Sequence, residues 1–220
     1  MGDSMLGSGG AAFKLLVALA ALVGVAIQIQ VSADPLGKLN LLSYFTIQSN
    51  IIVGVVFLAS AVKTLGGGEP GRALAALERS ARVWIWMTGL AFHFLLSRVW
   101  HPVGIQALAN FLVHYAVPAG ALLSWIVFER KGGHRIGDIV VIAAYPLLYA
   151  AASLLRGSLD GWYPYWFLDP GRAAPDGAGS FAGALAWSGG LGVGFVLLGL
   201  ATTGTDALLA RAGKRRIQAR

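Results

Sequence analysis

The chain has 220 residues, of which 56% are hydrophobic and only 12% charged, and its mean hydropathy is +0.68. A soluble domain of this length needs more polar surface, so the composition indicates a membrane protein. The lack of cysteine in the sequence excludes disulfides, thiolate metal ligands and a cysteine nucleophile.

Six apolar segments are long enough to cross a bilayer, which takes roughly 17 to 25 residues of helix. They cover approximately residues 12–31, 41–62, 82–99, 104–128, 138–155 and 181–204. Because little of the chain lies outside them, we predict one all-α domain, residues 1–220, folded as a polytopic membrane helical bundle. The stretch "VSAD" at 31–34 resembles a signal-peptide cleavage site, but the residues before it form a weak basic n-region, so we expect a retained helix.

The basic residues favour one orientation of these helices. Of the 17 Lys and Arg, only Lys38, Arg98, Arg156 and Arg172 fall on the side opposite the two termini. Cytoplasmic loops carry the excess of basic residues, so we expect both termini in the cytoplasm. The net charge of +7 then has an explanation that needs no nucleic acid.

Polar residues recur inside the apolar segments at helical spacing. Such residues are costly in lipid and normally face the interior of a bundle, where they line one face at every third or fourth position. Four segments each carry such a stripe: Ser43, Thr46 and Asn50 with Ser49 beside them; Gly89, His93 and Ser97; Gln106, Asn110, His114 and Pro118; and Tyr145, Tyr149 and Ser153. We therefore predict a polar cavity shared by four helices, in the outer half of the bundle.

An aromatic connector follows the fifth segment. Residues 157–172, "GSLDGWYPYWFLDPGR", place Trp162, Tyr163 and Tyr165 around Pro164. Aromatic side chains with a polar tip favour the membrane interface. The connector is therefore either an ordinary aromatic belt or a lid over the mouth of the cavity.

Three kinds of function are compatible with these residues. A histidine beside a hydroxyl is the minimal pair for acyl transfer: Thr46 or Ser49 could supply the hydroxyl, His114 or His93 the base, and Asn50 or Asn110 an amide for the oxyanion. His93 and His114 could instead clamp a haem or frame another small-ligand site. The stripes could also line the path of a small transporter, or serve only helix packing.

Three sequence stretches resemble a known family. "YFTIQSN" at 44–50, "NFLVHYAVP" at 110–118 and "GWYPYWFLD" at 161–169 are similar to signatures of bacterial Pr6Pr-type membrane proteins. These proteins in turn resemble the eukaryotic family of androgen-induced and androgen-dependent TFPI-regulating membrane threonine hydrolases. The likeness runs from the first apolar segment through the fifth.

The resemblance implies an enzyme that hydrolyses fatty acid esters of hydroxy fatty acids. It implies Thr46 as the nucleophile and His114 as the base, with Asn110 four residues before the histidine, and it gives no role to His93. It also implies a bacterial cytoplasmic membrane, a lipid or fatty acyl ester substrate, and neither a metal nor an organic cofactor. The residues expected to line the cavity are Ser43, Ser49, His93, Tyr145, Tyr149 and the connector aromatics Trp162, Tyr163 and Tyr165.

Overall fold

The computed structural model describes residues 2–32 and 34–218, and within them the chain is all-α. Eight α-helices follow one another: α1 (Gly2–Val31), α2 (Pro35–Leu42), α3 (Phe45–Leu65), α4 (Arg72–Ala91), α5 (Ile105–Phe111), α6 (Val117–Leu123), α7 (Asp138–Asp160) and α8 (Phe181–Gln218). Three π-helical turns, Phe92–Leu96, Leu112–Ala116 and Ser124–Phe128, extend α4, join α5 to α6 and extend α6. A 3₁₀ turn forms at Trp166–Leu168.

Five of the described helical segments are long and apolar enough to cross a membrane, which confirms a multi-pass helical membrane protein. They are Gly7–Val31, Phe45–Leu65, Ile105–Phe128, Asp138–Asp160 and Phe181–Arg215. The segment expected at 82–99 is not among them, because the helix that contains it starts at Arg72 and carries Glu78, Arg79 and Arg82. Of the six apolar spans expected, five are therefore present as long apolar helices in the described part of the chain.

Several helix ends differ from those predicted. The first helix begins at Gly2 rather than near residue 12, and the last continues to Gln218 rather than ending near residue 204. At a rise of about 1.5 Å per residue, α8 is about 57 Å long, which exceeds the ~30 Å hydrocarbon core of a bilayer. The basic C-terminal end of α8 therefore extends beyond the hydrocarbon core. Ala33 of the "VSAD" stretch and Arg220 of the basic tail lie outside the described residues.

Helix α4 lies in the middle of the bundle and packs against α3, α6, α7 and α8. Its side chains Val83 and Ile85 are fully buried, and they form one core with Val53 and Phe57 of α3. In lipid there is no hydrophobic force between helices, so close van der Waals packing has to hold such a bundle together. At Gly54 a Cβ atom would lie 2.8 Å from the Leu22 side chain, so glycine lets α3 approach α1 closely.

A buried network of four charges lies at the end of the bundle where α4 begins. Lys14 Nζ is 2.6 Å from Glu78 Oε1 and 3.4 Å from Glu129 Oε1. Arg82 Nη2 contacts the same two oxygens at 3.0 and 2.5 Å. Two cations thus alternate with two anions, which makes their burial tolerable because every charge has opposite neighbours. Arg82 itself has no exposed surface.

Candidate functional site

The site begins at the first turn of α3, where backbone N–H groups have no partner within the helix. The N-cap residue Tyr44 makes no side-chain cap. Two tyrosine hydroxyls take over this role: Phe45 N–H donates to Tyr149 Oη at 3.2 Å, and Thr46 N–H donates to Tyr165 Oη at 3.3 Å. Thr46 is therefore held in a first helical turn, where the helix dipole favours negative charge.

The hydroxyl of Thr46 faces the imidazole of His114. The distance from Thr46 Oγ1 to His114 Nε2 is 3.2 Å, and both residues are 9% exposed. Thr46 is in α3 and His114 is in the π-helical turn between α5 and α6. A serine- or threonine-type nucleophile needs a base within this range of its hydroxyl.

Asn110 fixes the protonation pattern of this imidazole. His114 Nδ1 is 3.0 Å from Asn110 Oδ1 and 3.2 Å from the backbone oxygen of Asn110. Both oxygens are acceptors, so Nδ1 must carry the hydrogen, and in the neutral ring Nε2 is left with a free lone pair. Nε2 therefore accepts the hydrogen bond from the Thr46 hydroxyl, which is the arrangement that a general base requires.

The two π-helical turns that flank the site meet at the histidine. Phe92 begins the first turn and its ring stacks on that of His114, with 3.8 Å between the centroids and 15° between the planes. A π-helical turn inserts an extra residue into a helix and often lies at a functional site. Here the stacking ring holds the imidazole in the plane that points Nε2 at Thr46.

Asn50 and Ser49 hold the start of α3 in place. Asn50 Nδ2 donates to the Thr46 carbonyl at 2.8 Å and to the Val113 carbonyl at 3.1 Å, so both hydrogens of its amide are used. This amide therefore has no hydrogen left for an oxyanion. Ser49 Oγ donates to the Thr46 carbonyl at 3.1 Å and shares a hydrogen bond of 3.0 Å with Thr88 Oγ1.

The larger of two cavities that reach Thr46 has a volume of about 510 Å³. It is enclosed by the end of α1, by α2, by the starts of α3 and α5, and by the aromatic connector. Its wall includes Thr46, His114 and Asn110, together with the polar side chains Gln28, Asn40 and Gln106. Val99 and Trp100, which also line it, are 68% and 47% exposed, so the cavity opens to the surface there.

The smaller cavity has a volume of about 70 Å³ and lies on the other side of Thr46. Its wall is almost entirely apolar and is drawn from the middle of the bundle: Phe45, Met87, Ala91, Pro146, Ala150, Leu191, Gly192 and Phe195, with Thr88 and Ser188 as its small polar members. Thr46, Phe92, Leu96 and Tyr165 line both cavities, whereas His114 lines only the larger one.

The aromatic connector forms one wall of the larger cavity. Trp162, Pro164, Tyr165 and Trp166 line it. Tyr163 lines neither cavity, and its ring packs where the side chain of Gly157 would be, with the nearest ring atom 2.0 Å from a Cβ built there. Burial raises the pKa of Tyr165 to about 12, so its hydroxyl stays protonated at physiological pH.

Five predicted cavity residues line neither cavity: Ser49 and Tyr163, described above, and Ser43, His93 and Tyr145. Ser43 ends α2 instead of starting the next helix, and its hydroxyl is hydrogen-bonded to Arg156, so it shares no helical face with Thr46. His93 is exposed on the surface in the π-helical turn Phe92–Leu96, with Nδ1 3.4 Å from the Tyr115 hydroxyl. Tyr145 lines neither cavity and donates to Gln48 Oε1 at 2.8 Å.

Tyr149 lines the smaller cavity. The sequence stripes missed two other residues in the wall of this cavity, Thr88 and Phe92. Thr88 and Phe92 both contact the site, yet neither belongs to the stripe of Gly89, His93 and Ser97. Thr88 and Phe92 are four residues apart and share one helical face, whereas the polar stripe follows the adjacent face through His93 because Phe92 is apolar. Thr88 is connected to the site by its hydrogen bond to Ser49, which is a tertiary contact between α4 and α3.

Comparison with protein-family models, curated proteins and solved structures finds no match to this chain. The fold and the site by themselves define a class: a multi-pass helical membrane protein with a buried threonine–histidine–asparagine relay between two cavities. No cluster of three or more His, Asp or Glu that could hold a metal occurs among the described residues.

Proposed function

We propose that this protein is an intramembrane lipid ester hydrolase in which Thr46 is the nucleophile and His114 the general base. The observation that carries the proposal is the relay from Thr46 Oγ1 to His114 Nε2 and from Nδ1 to Asn110, at 3.2 and 3.0 Å, on the wall of an open cavity. Structural hydroxyls in membrane helices usually bond to a backbone carbonyl one turn earlier. Thr46 Oγ1 instead meets a histidine whose tautomer suits a base.

The proposal includes a topology. In it the bundle crosses a bacterial cytoplasmic membrane six times, with α4 as the central crossing and both termini in the cytoplasm. The bias of basic residues toward one side supports this orientation. The cavity then opens near the outer leaflet, from which a lipid ester could enter laterally.

The acylation step uses the relay directly. His114 Nε2 takes the Thr46 hydroxyl proton while Oγ1 forms a bond to the ester carbonyl carbon, and the carbonyl oxygen becomes an oxyanion. When the bond between the carbonyl carbon and the alkoxy oxygen breaks, His114 returns the proton to that oxygen. The products are a free alcohol and an acyl-threonine. Asn110 keeps the imidazole oriented throughout.

Tyr165 is the candidate donor to the oxyanion. Its hydroxyl is 3.3 Å from the Thr46 backbone nitrogen and accepts that N–H, so the oxygen lies beside the nucleophile. A hydroxyl hydrogen rotates to suit its acceptor, and this one stays bound because the pKa of Tyr165 is raised to about 12. The first-turn position of Thr46 in α3 adds the favourable field of a helix N-terminus.

Water completes the cycle. His114 removes a proton from a water in the larger cavity, the water oxygen attacks the acyl-threonine, and Thr46 Oγ1 leaves with the proton from His114. The carboxylic acid is released and the relay is restored. Neither half of the cycle needs a metal or an organic cofactor. The family resemblance of Thr46, Asn110 and His114 supports fatty acid esters of hydroxy fatty acids, or similar long-chain esters, as the substrate class.

Covalent labelling by a fluorophosphonate probe tests the proposal. Attack of Thr46 Oγ1 on phosphorus expels fluoride and leaves a phosphonyl adduct that intact mass spectrometry detects. We expect one adduct on the wild-type protein in detergent, none on Thr46→Val, and strongly slowed labelling of His114→Gln. Thr202→Val is the matched control, because Thr202 is another buried threonine that lines neither cavity and whose hydroxyl donates to the Leu198 carbonyl of its own helix.

A folded wild-type protein without an adduct, or an adduct that persists in Thr46→Val, would overturn the proposal. The cavity would then serve a ligand or a transported molecule rather than a reaction. In the simplest version of that alternative the ligand is a haem. An absorbance spectrum of the same preparation would detect it.

A further inference from the structure

Thr46 lies at the boundary between two cavities that differ in size and polarity. The larger has a volume of about 510 Å³ and the smaller about 70 Å³, and the Thr46 side chain lines both. An ester has two arms that extend from the carbonyl carbon in different directions. A carbonyl placed at Thr46 can therefore put one arm into each cavity.

The position of His114 decides which arm enters which cavity. His114 has to protonate the alkoxy oxygen as it leaves, so the alcohol arm must lie on the side that the imidazole lines. His114 lines the larger cavity and not the smaller one. The alcohol arm therefore belongs in the larger cavity, and the acyl arm is left with the smaller one.

The polarity of the two walls agrees with this assignment. Gln28, Asn40 and Gln106 line the larger cavity, which suits an alcohol product and the water of the second step. The smaller cavity is enclosed by apolar side chains such as Met87, Leu191 and Phe195. A hydrocarbon acyl arm is favoured in such surroundings. An acyl arm in the smaller cavity also leaves the larger cavity open for the attacking water.

We infer that the ester substrate lies across Thr46 with a short acyl group in the small apolar cavity and a long alcohol portion in the large one. The larger cavity has about seven times the volume of the smaller. The size limit therefore falls on the acyl side, and the lipid character of the substrate is carried by its alcohol. This assignment rests on the proposed hydrolase function and, among the long-chain esters proposed there, favours short-chain acyl esters of long-chain alcohols or hydroxy lipids over esters that carry a long fatty acyl group.

Two ester series measured on the full chain in detergent test the assignment. The first keeps p-nitrophenol as the alcohol and lengthens the acyl group from acetate to palmitate. The second keeps acetate and lengthens a linear alcohol from ethanol to hexadecanol. We expect kcat/KM to fall at least tenfold between butyrate and palmitate in the first series. In the second series it should hold or rise with chain length.

A matched pair of leucine variants separates the two cavities. Leu191 lines only the small cavity and Leu41 only the large one, and both are half-buried. Leu191→Ala should raise the relative kcat/KM for long acyl groups at least fivefold, whereas Leu41→Ala should leave the acyl preference unchanged. Ser188→Leu should narrow the small cavity and restrict the acyl group further. The Ser188 hydroxyl donates to the Ala184 carbonyl of its own helix.

The outcomes keep this inference apart from the proposed function. A fluorophosphonate adduct on Thr46, together with equal rates for short and long acyl esters, would overturn the assignment and leave the hydrolase standing. A change of acyl preference in Leu41→Ala and none in Leu191→Ala or Ser188→Leu would do the same. Absence of both adduct and turnover would overturn the hydrolase proposal and the assignment with it.

Discussion

Thr46 Oγ1 and His114 Nε2 lie 3.2 Å apart although 68 positions separate the two residues in the chain. Three features produce this contact. Tyr149 and Tyr165 hold the start of α3, Asn50 ties that helix to the Val113 carbonyl, and Phe92 stacks on the imidazole. The pair is thus held in place from both sides.

Asn110 should act through the orientation of His114. Asn110→Ala removes one of two acceptors for the Nδ1 hydrogen, and the Asn110 backbone oxygen at 3.2 Å remains. We expect the fluorophosphonate labelling rate to fall roughly tenfold to a hundredfold, part of the 10²–10⁴ that a positioned base typically contributes. Asn110→Asp keeps an acceptor and should restore most of the rate. Gln106→Ala, one turn earlier on the same cavity wall, should change it little; equal losses in Gln106→Ala and Asn110→Ala would contradict this role.

Asn50 should be required for stability. Asn50→Ala leaves a void in α3 and removes two buried hydrogen bonds, which should lower the free energy of unfolding by about 2–3 kcal/mol. Ser60 is buried in the same helix and its hydroxyl has no partner among the described residues, so Ser60→Ala should be neutral or slightly stabilising. Denaturation in detergent measures both. An Asn50→Ala protein as stable as Ser60→Ala would show that these bonds contribute little.

Arg82 should be the most sensitive member of the buried charge network. Arg82→Ala leaves Glu78 and Glu129 with only Lys14 between them, and removal of one partner from a buried ion pair costs about 3–5 kcal/mol. Arg72 is exposed at the start of the same helix, so Arg72→Ala should stay within about 0.5 kcal/mol of wild type. The double variant Arg82→Met with Glu129→Gln removes one charge of each sign and should recover part of the loss. Thermal unfolding of the three variants distinguishes a charge effect from a packing effect.

Gly157 should be required for the connector to take its place beside the cavity. A Cβ at residue 157 would overlap the Tyr163 ring, so Gly157→Ala should displace the connector and lower both stability and labelling. Gly189→Ala in α8 is the control, because no atom lies within 4 Å of a Cβ there. That change should be neutral or stabilising by up to about 1 kcal/mol through helix propensity. Limited proteolysis of the connector provides the direct measurement, and equal cleavage of the two variants would refute the expectation.

The stability of the fold should fall as the pH drops below about 6.5. Burial, followed by the positive charges of Arg82 and Arg79, lowers the pKa of His134 from 6.5 to about 4, although the carboxylates of Asp206 and Asp138 oppose this shift. The unfolded chain then binds a proton between these values that the folded chain does not, so stability is present above pH 6.5 and is lost toward pH 4. His134→Gln should flatten this part of the profile.

A second acidic transition should follow at lower pH. The charges of Arg82 and Lys14 outweigh burial and lower the pKa of Glu129 to about 2. Stability from this carboxylate is present above its ordinary pKa of 4.5 and is lost as the pH falls toward 2.

The control for the His134 variant is His101→Gln, at an exposed position. A His134→Gln profile that still falls between pH 6.5 and 4.5 as steeply as wild type would assign the first transition to another group.

The amino-acid sequence by itself determined the class of protein and the inward faces that carry Thr46, Asn110 and His114. Long apolar runs leave a helical membrane bundle as the solution that satisfies the backbone, and five of them recur as long apolar helices. The placement of Thr46, Asn110 and His114 on inward faces followed from helical spacing, because a polar side chain is costly in lipid unless it faces other polar groups inside the bundle.

The tertiary structure alone decided how those residues meet. The polar stripe followed the face of His93, but His93 is exposed and the neighbouring Phe92 stacks on the imidazole. Phe92 and His93 lie in the π-helical turn Phe92–Leu96, and His114 lies in the turn Leu112–Ala116. The break at Ser43 separates α2 from α3 and gives Thr46 its place in a first helical turn. These features depend on which hydrogen bonds and ring contacts the packed helices can form with one another. Such contacts join residues far apart in the chain, and a pattern read along one helix at a time does not contain them.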